Sequence, residues 1–274
     1  MTRVIRGLLL GLGLVVALAP APGRAAEPVR LLAAGSLRGA LTEVARDFEA
    51  AGGPPVAARY GASGLLRDEI AAGAPADVFA SANMEHPLAL AGARRAGPVV
   101  LFARNRLCAL ARPGLDVSGA TLAERMLDPA VKLGTSTPGA DPSGDYAWAV
   151  FRRLDALRPG SFAVLAAKAL QLTGGPSSPP PPADCSVYGA VLARGEADLF
   201  LTYCTNARAA AAEVAGAAVI DLPESIAVGA EYGLAVMEGA PAPASRLALF
   251  ILSPEGQAIL ARHGFSAPNR PEAP

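Results

Sequence analysis

Short apolar runs and longer stretches of helical spacing take turns along this chain. PVRLLAAG (28–35) is short, apolar and closed by Gly35, the pattern of a buried strand. After Ser36, positions Leu37, Ala40, Leu41, Val44, Ala45 and Phe48 recur at helical spacing until Gly52-Gly53 stops the run. PVAARYGA (55–62) predicts a second strand, Ser63 opens a helix reaching Ala72, and ADVFASA (76–82) predicts a third strand. Strict alternation of strand and helix predicts a parallel sheet in an α/β protein.

A second series begins near Asn105. RLCALAR (106–112) and VKLGTST (131–137) read as strands with a short helix, TLAERML, between them. DPSGDYAWAVFRRLDAL (141–157) is a helix start followed by an apolar stripe. GGPSSPPPPAD (174–184) is incompatible with helix or central strand and predicts an exposed loop, 176–182 being its proline-rich heart. CSVYGAVLARGEADLFLTYC predicts a helix and then a strand ending near Tyr203. AEYGLAVM (230–237) is a further strand, and PASRLALFILSPEGQAILARHGF a closing amphipathic helical region. The chain therefore reads as two α/β halves, with the last helices fitting the first half.

The N-terminus sets the compartment. Arg3 and Arg6 precede an apolar core, Gly7 to Leu18, too short to span a bilayer comfortably, and Gly23 and Ala25 supply a small-residue cleavage site. Residues 1–25 are thus expected to be a secretory signal peptide and the mature protein periplasmic. Removing them takes away three arginines and no acids, leaving a formal net charge of −3. A mildly acidic chain without a basic run is a poor nucleic-acid binder. Its three cysteines, Cys108, Cys185 and Cys204, and two histidines, His86 and His263, do not cluster as a structural zinc site does. An odd cysteine count leaves at most one bridge and a free thiol.

Four places read as a strand end, a small residue and the first turn of a helix: Ser36 in AAGSLRGAL, Ser63 in GASGLLRDEI, Ser143 in DPSGDYAWAV and Cys185 in ADCSVYGAV. Each serine alone reads as an N-cap. Together, on two lobes facing across a cleft, such termini could converge their free N–H groups on one anion. A serine hydrolase needs a base beside its nucleophile, and GASGL lacks the G-x-S-x-G elbow, so no catalytic site is expected. Phosphate, which carries a proton, favours a carboxylate acceptor, and none of the four segments offers an obvious one.

These segments also resemble the periplasmic molybdate-binding proteins of ABC-type transporters. The resemblance runs along nearly the whole mature chain, most specifically in AAGSL, SGLLRDEIAAGAPADVFASAN, DPSGDYA and GEADLFLTY. It implies a two-lobe type II periplasmic-binding-protein fold, lobe one from 26–104 and 229–274 and lobe two from 105–228, with the ligand in the cleft. It implies an oxyanion held by the hydroxyls of Ser36 and Ser63, the main-chain N–H groups of Ser143 and Cys185, and the Tyr203 hydroxyl. The ligand would be molybdate or tungstate, its metal reached only through oxide oxygens, with sulfate or a small organic anion as alternatives. The expected partners are a permease and an ATPase, with no other cofactor and a monomeric state. Ser143 and Cys185 stand where the family commonly has simple apolar residues, and Cys-Thr-Asn follows Tyr203 where Gly or Ser is common. With Cys204 beside one expected ligand residue and Cys185 itself another, a Cys185–Cys204 disulfide is expected; the alternative leaves all three as small buried residues.

Overall fold

The computed structural model of the protein describes residues 27–180, 182 and 185–268. The expected leader at 1–25 lies outside them, as do residues 181, 183 and 184 of the proline-rich loop. The chain opens with β1 (Val29–Ala34), α1 (Arg38–Ala50), β2 (Val56–Gly61), α2 (Ser63–Ala71), β3 (Val78–Ser81) and α3 (Glu85–Gly92). β4 (Val100–Ala111) leads into α4 (Leu122–Leu127), β5 (Leu133–Ser136), α5 (Pro142–Leu157), α6 (Ser161–Lys168) and β6 (Leu170–Thr173). Then come α7 (Val187–Ala193), β7 (Leu199–Tyr203), α8 (Cys204–Glu213) and β8 (Ala218–Asp221). β9 (Gly229–Val236), α9 (Ala242–Leu252) and α10 (Pro254–Arg262) close the chain.

Strand neighbours run β2-β1-β3-β9-β4 in one lobe and β4-β7-β5-β6 in the other, with β8 also on β4. The trios β2-β1-β3 and β6-β5-β7 are parallel, as the alternation predicts. The sheets are nonetheless mixed, because β9 runs antiparallel to β3 and β4, and β4 antiparallel to β7 and β8. β9 reaches the first lobe from the second and so enters between β3 and β4 against their parallel set. Alternation of element types does not record that direction.

β4 joins the lobes. Its first half pairs with β9 as far as Arg106↔Gly229, and from Leu107 onward it pairs with β7. Side chains of β4 alternate between faces: Leu107, Ala109 and Ala111 join the main core, whereas Cys108 and Leu110 face a cluster under α7 and α8. In the first lobe Leu31 and Ala33 pack with α1, α9 and α10, and Leu32 packs with α2 and α3 on the other face. The helices that end the chain therefore cover the first sheet. Asp77 is structural: it accepts hydrogen bonds from Arg30 N at 2.8 Å and Arg30 Nε at 3.0 Å. Burial pushes its carboxyl up, but those Arg30 bonds outweigh it and hold the group below its ordinary value.

The disulfide is Cys108–Cys204, not Cys185–Cys204. Cys108 lies opposite Thr202 in the β4–β7 ladder, and residue 204 opens α8, which folds back over β4. That brings the two Cα atoms to 4.8 Å, within bonding reach, in a buried cluster. Cys185 is an exposed free thiol on the loop before α7.

Candidate functional site

Neither Ser36 nor Ser63 caps its helix. Ser36 sits in a 3-10 turn at Gly35–Leu37 with no side-chain cap, and Ser63 is the first residue of α2, where Ala62 holds the cap position. Their hydroxyls turn elsewhere. Ser36 Oγ shares a 2.9 Å hydrogen bond with the Tyr232 hydroxyl, and Ser63 Oγ accepts from Ala82 N at 3.1 Å. The Tyr203 hydroxyl in turn donates to Ala82 O at 3.4 Å, so the backbone of one residue, through its N–H and its carbonyl, connects hydroxyls from both lobes. Asn105 of β4 donates from Nδ2 to the Tyr232 hydroxyl and, at 2.9 Å, to Thr205 Oγ1 of α8. Burial raises the Tyr203 and Tyr232 hydroxyls well above the ordinary tyrosine value, which keeps both as neutral donors.

A cavity of about 550 Å³ lies beside this network between the lobes, with Tyr232 and Asn105 behind its wall. Ser36, Ser63, Cys185 and Tyr203 line it; Ser143 does not. Ser143 is buried at the second position of α5, its Oγ without a hydrogen-bond partner and its N–H donated to Asp141 Oδ1 at 3.0 Å. Asp141, the α5 N-cap, is the residue of that segment on the cavity wall. The segment thus contributes a carboxylate, contrary to the expectation that none of the four offers one. Burial pushes that carboxyl up to about 6, against hydrogen bonds from Ser143 N and Ser136. At the other expected terminus Ser186, not Cys185, caps α7, and Ser186 N–H donates to Glu213 Oε2 at 2.7 Å. The lobes meet beside the cavity, where Gly64 N–H of α2 donates to Ala140 O at 2.9 Å.

Two lobes joined through β4, with a hydroxyl-lined cavity at their seam, are the frame of a binding protein. Residues 29–266 match the family model described as bacterial extracellular solute-binding protein. The chain belongs to that family. It is 34% identical over 211 residues to the uncharacterized protein PM1146 of Pasteurella multocida, covering 76% of this chain and 86% of that protein. Its fold is similar to the periplasmic molybdate-binding protein of Azotobacter vinelandii, with a TM-score of 0.71 at 21% identity over 88% of this chain and all of the other. It is also similar to the sulfate-binding protein SubI of Mycobacterium tuberculosis, with a TM-score of 0.74 at 18% identity over 88% and 87% of the two chains.

Behind the cavity wall of this solute-binding protein lie residues with no local sequence signal. Tyr232 and Asn105 position Ser36 and tie it to α8 through Thr205. A tyrosine in AEYGLAVM reads as a strand residue; only the β9–β4 pairing puts it behind Ser36. The motif ASAN at 80–83 is a turn built around Asn83, whose Oδ1 accepts from Ser81 Oγ at 2.9 Å and His86 N at 3.2 Å. That turn holds the Ala82 backbone between Ser63 and Tyr203.

Proposed function

We propose that the protein is the periplasmic solute-binding subunit of an ABC-type importer and that it captures a small tetrahedral oxyanion in the interlobe cavity. The observation that carries this is the convergence of the Ser36, Ser63 and Tyr203 hydroxyls on one cavity. None of the three hydroxyls makes a helix-capping hydrogen bond, although Tyr203 holds the α8 cap position, and burial raises the Tyr203 hydroxyl well above the ordinary tyrosine value. Uncharged donors at fixed positions suit an anion whose oxygens each accept several hydrogen bonds. Cys185, which also lines the cavity, would offer its main-chain N–H, whereas Ser143 stands off the wall with its N–H on Asp141 Oδ1.

Lobe one comprises residues 26–104 and 229–274 in this reading, lobe two residues 105–228, and closure occurs about β4 and the chain entering β9. The motif resemblance favours molybdate, with tungstate as its near equal in charge and shape. Sulfate and a small organic anion are the second reading, favoured by the fold shared with a sulfate-binding protein. A membrane permease and an ATPase would receive the loaded protein, which itself acts by binding rather than catalysis. Calorimetric titration of the mature chain with molybdate, tungstate, sulfate and phosphate tests the reading. Saturable one-to-one binding of at least one is expected, and failure of all four refutes it.

A further inference from the structure

We propose that Asp141 is a specificity-determining residue that demands one proton in the anion site. The cleft then favours oxyanions of the hydrogen phosphate class and takes fully ionised ones, such as molybdate or sulfate, only together with a proton. This rests on the reading of the cavity as an oxyanion site. The N–H groups that open α5 are already taken by Asp141, Ser143 N donating to its Oδ1 and Gly144 N to its main-chain oxygen at 2.8 Å, and Asp141 is the residue of that helix start on the cavity wall. Asp141 Oδ1 accepts from Ser143 N, and the carboxylate lies against Gly174, where an added Cβ would fall 2.4 Å from Oδ2. Gly174 also has φ +73°, so both the space and the backbone there admit only glycine. The carboxylate is thus fixed in place on the wall.

An ionised carboxylate has lone pairs and no hydrogen, and so does a fully ionised oxyanion; two such acceptors in contact need a hydrogen between them. Positive charge does little to offset the clash. Among the described lining residues Arg38 is the one guanidinium and it stacks over Tyr60 at 4.9 Å, while the same lining carries two carboxylates, Asp141 and Glu213. The other groups around Asp141 are acidic or neutral: Asp145 of its own helix, the hydroxyls of Ser136 and Thr173, and the phenols Tyr188, Tyr203 and Tyr232. His263 lines the cavity with its Nε2 held by Glu43 Oε2 at 2.8 Å. A hydrogen phosphate brings its own O–H, which donates to an Asp141 oxygen. Molybdate brings none, so a proton from solvent binds to Asp141, and the resulting carboxylic O–H donates to an oxide oxygen.

Calorimetry on the mature wild-type and Asp141→Asn proteins tests this, with molybdate and phosphate each titrated in two buffers of different ionisation enthalpy. Asparagine caps a helix about as well as aspartate, so α5 is retained, and its Nδ2 supplies the missing hydrogen. Wild-type protein is expected to take up close to one proton per molybdate, with affinity falling about tenfold between pH 7 and pH 8. Phosphate at pH 8 should bind with little uptake. D141N should bind molybdate without proton uptake or pH slope and lose at least tenfold of the phosphate preference. Wild-type binding without proton uptake, or a molybdate-to-phosphate ratio unchanged in D141N, overturns the Asp141 inference while leaving the oxyanion reading intact. Binding of neither anion by either protein overturns the Asp141 inference, and the four-anion titration then decides the oxyanion reading.

Discussion

Gly64 stands at the seam between the lobes, and replacing it with alanine separates closure from folding. Its N–H donates to Ala140 O at 2.9 Å, and a Cβ added there would lie 2.6 Å from both Ala140 O and Gly139 O. Ordinary contact begins near 3.4 Å, so the two walls must move apart by about 0.8 Å at this point. Both oxygens belong to backbone, which cannot swing aside as a side chain does. The closed form then loses a hydrogen bond worth about 0.5–1.5 kcal/mol and accumulates strain of similar size, about 1–3 kcal/mol together. Anion affinity should fall by roughly tenfold to a hundredfold. The fold of the lobe should not suffer, because Gly64 lies within α2, where alanine is preferred over glycine by about 0.5–1 kcal/mol. Calorimetry with whichever of molybdate, sulfate or phosphate binds the wild type gives the affinity, and a thermal melt without anion gives the stability. Wild-type affinity in Gly64→Ala would show that closure does not use this contact. A melting loss as large as the affinity loss would show that the substitution acts on folding.

The two serines should behave differently. Ser36→Ala is expected to cost about 1.5–3 kcal/mol of anion binding with little change in melting, whereas Ser63→Ala also strands the buried Ala82 N–H and lowers stability by about 1–3 kcal/mol; full binding by both variants would remove them from the site. Reducing the Cys108–Cys204 bridge, which spans a sequence separation of 96, should cost about 2–5 kcal/mol, and Cys185→Ser should leave the melt unchanged. A reductant that does not shift the melting curve would contradict that. Without anion, Asp141 should make stability fall as pH rises. Its folded carboxyl titrates near 6, above the ordinary 3.8, so the folded state holds the proton more tightly and gains most below pH 4. About 1–3 kcal/mol should be lost by the time pH passes 6, and the loss should be absent in Asp141→Asn; parallel pH profiles for the two proteins would refute the assignment.

The elements that carried a strong local pattern were legible. β1, α1, β2, α2 and β3 fall within a residue or two of the apolar runs that predict them. Elements without such a pattern were missed. α8 reads CTNARAAAAE, a good helix composition with no apolar stripe, and β6 and β8 are four-residue strands. The first half of β4 escaped because VLFARN carries no clean alternation, its pairing with β9 being set by chain separated from it by more than a hundred residues. The disulfide failed for the same reason. Proximity of Cys108 to Cys204 follows from β4 and β7 being neighbours, and no local signal orders the strands of a sheet.

At the site, local sequence supplied positions and missed occupancy. Aspartate followed by proline is a strong helix-start signal, and Asp141-Pro142 does open α5. That signal makes Asp141 a cap, which is a complete structural role, so nothing local marks it as part of a binding wall. Its second role depends on Gly174 at the end of β6, on Tyr203 at the end of β7, and on the proline-rich loop between β6 and α7, which together form the cavity around it. The same logic removes Ser143 from the wall: one residue past the proline, it turns its side chain into the protein, where its hydroxyl finds no partner. A helix N-terminus advertises donors in sequence, but whether those donors meet a ligand or a carboxylate of the same chain is decided by packing. Here two termini of the second lobe meet carboxylates, through Ser143 N–H to Asp141 and Ser186 N–H to Glu213. The first lobe instead presents hydroxyls and keeps its acids, apart from Glu43 beside His263, away from the cavity. In the reading proposed above, an anion in the cleft meets hydroxyls from both lobes and, on the second, the carboxylates of Asp141 and Glu213 as well, and a protonated oxyanion has oxygens and a hydrogen to match both.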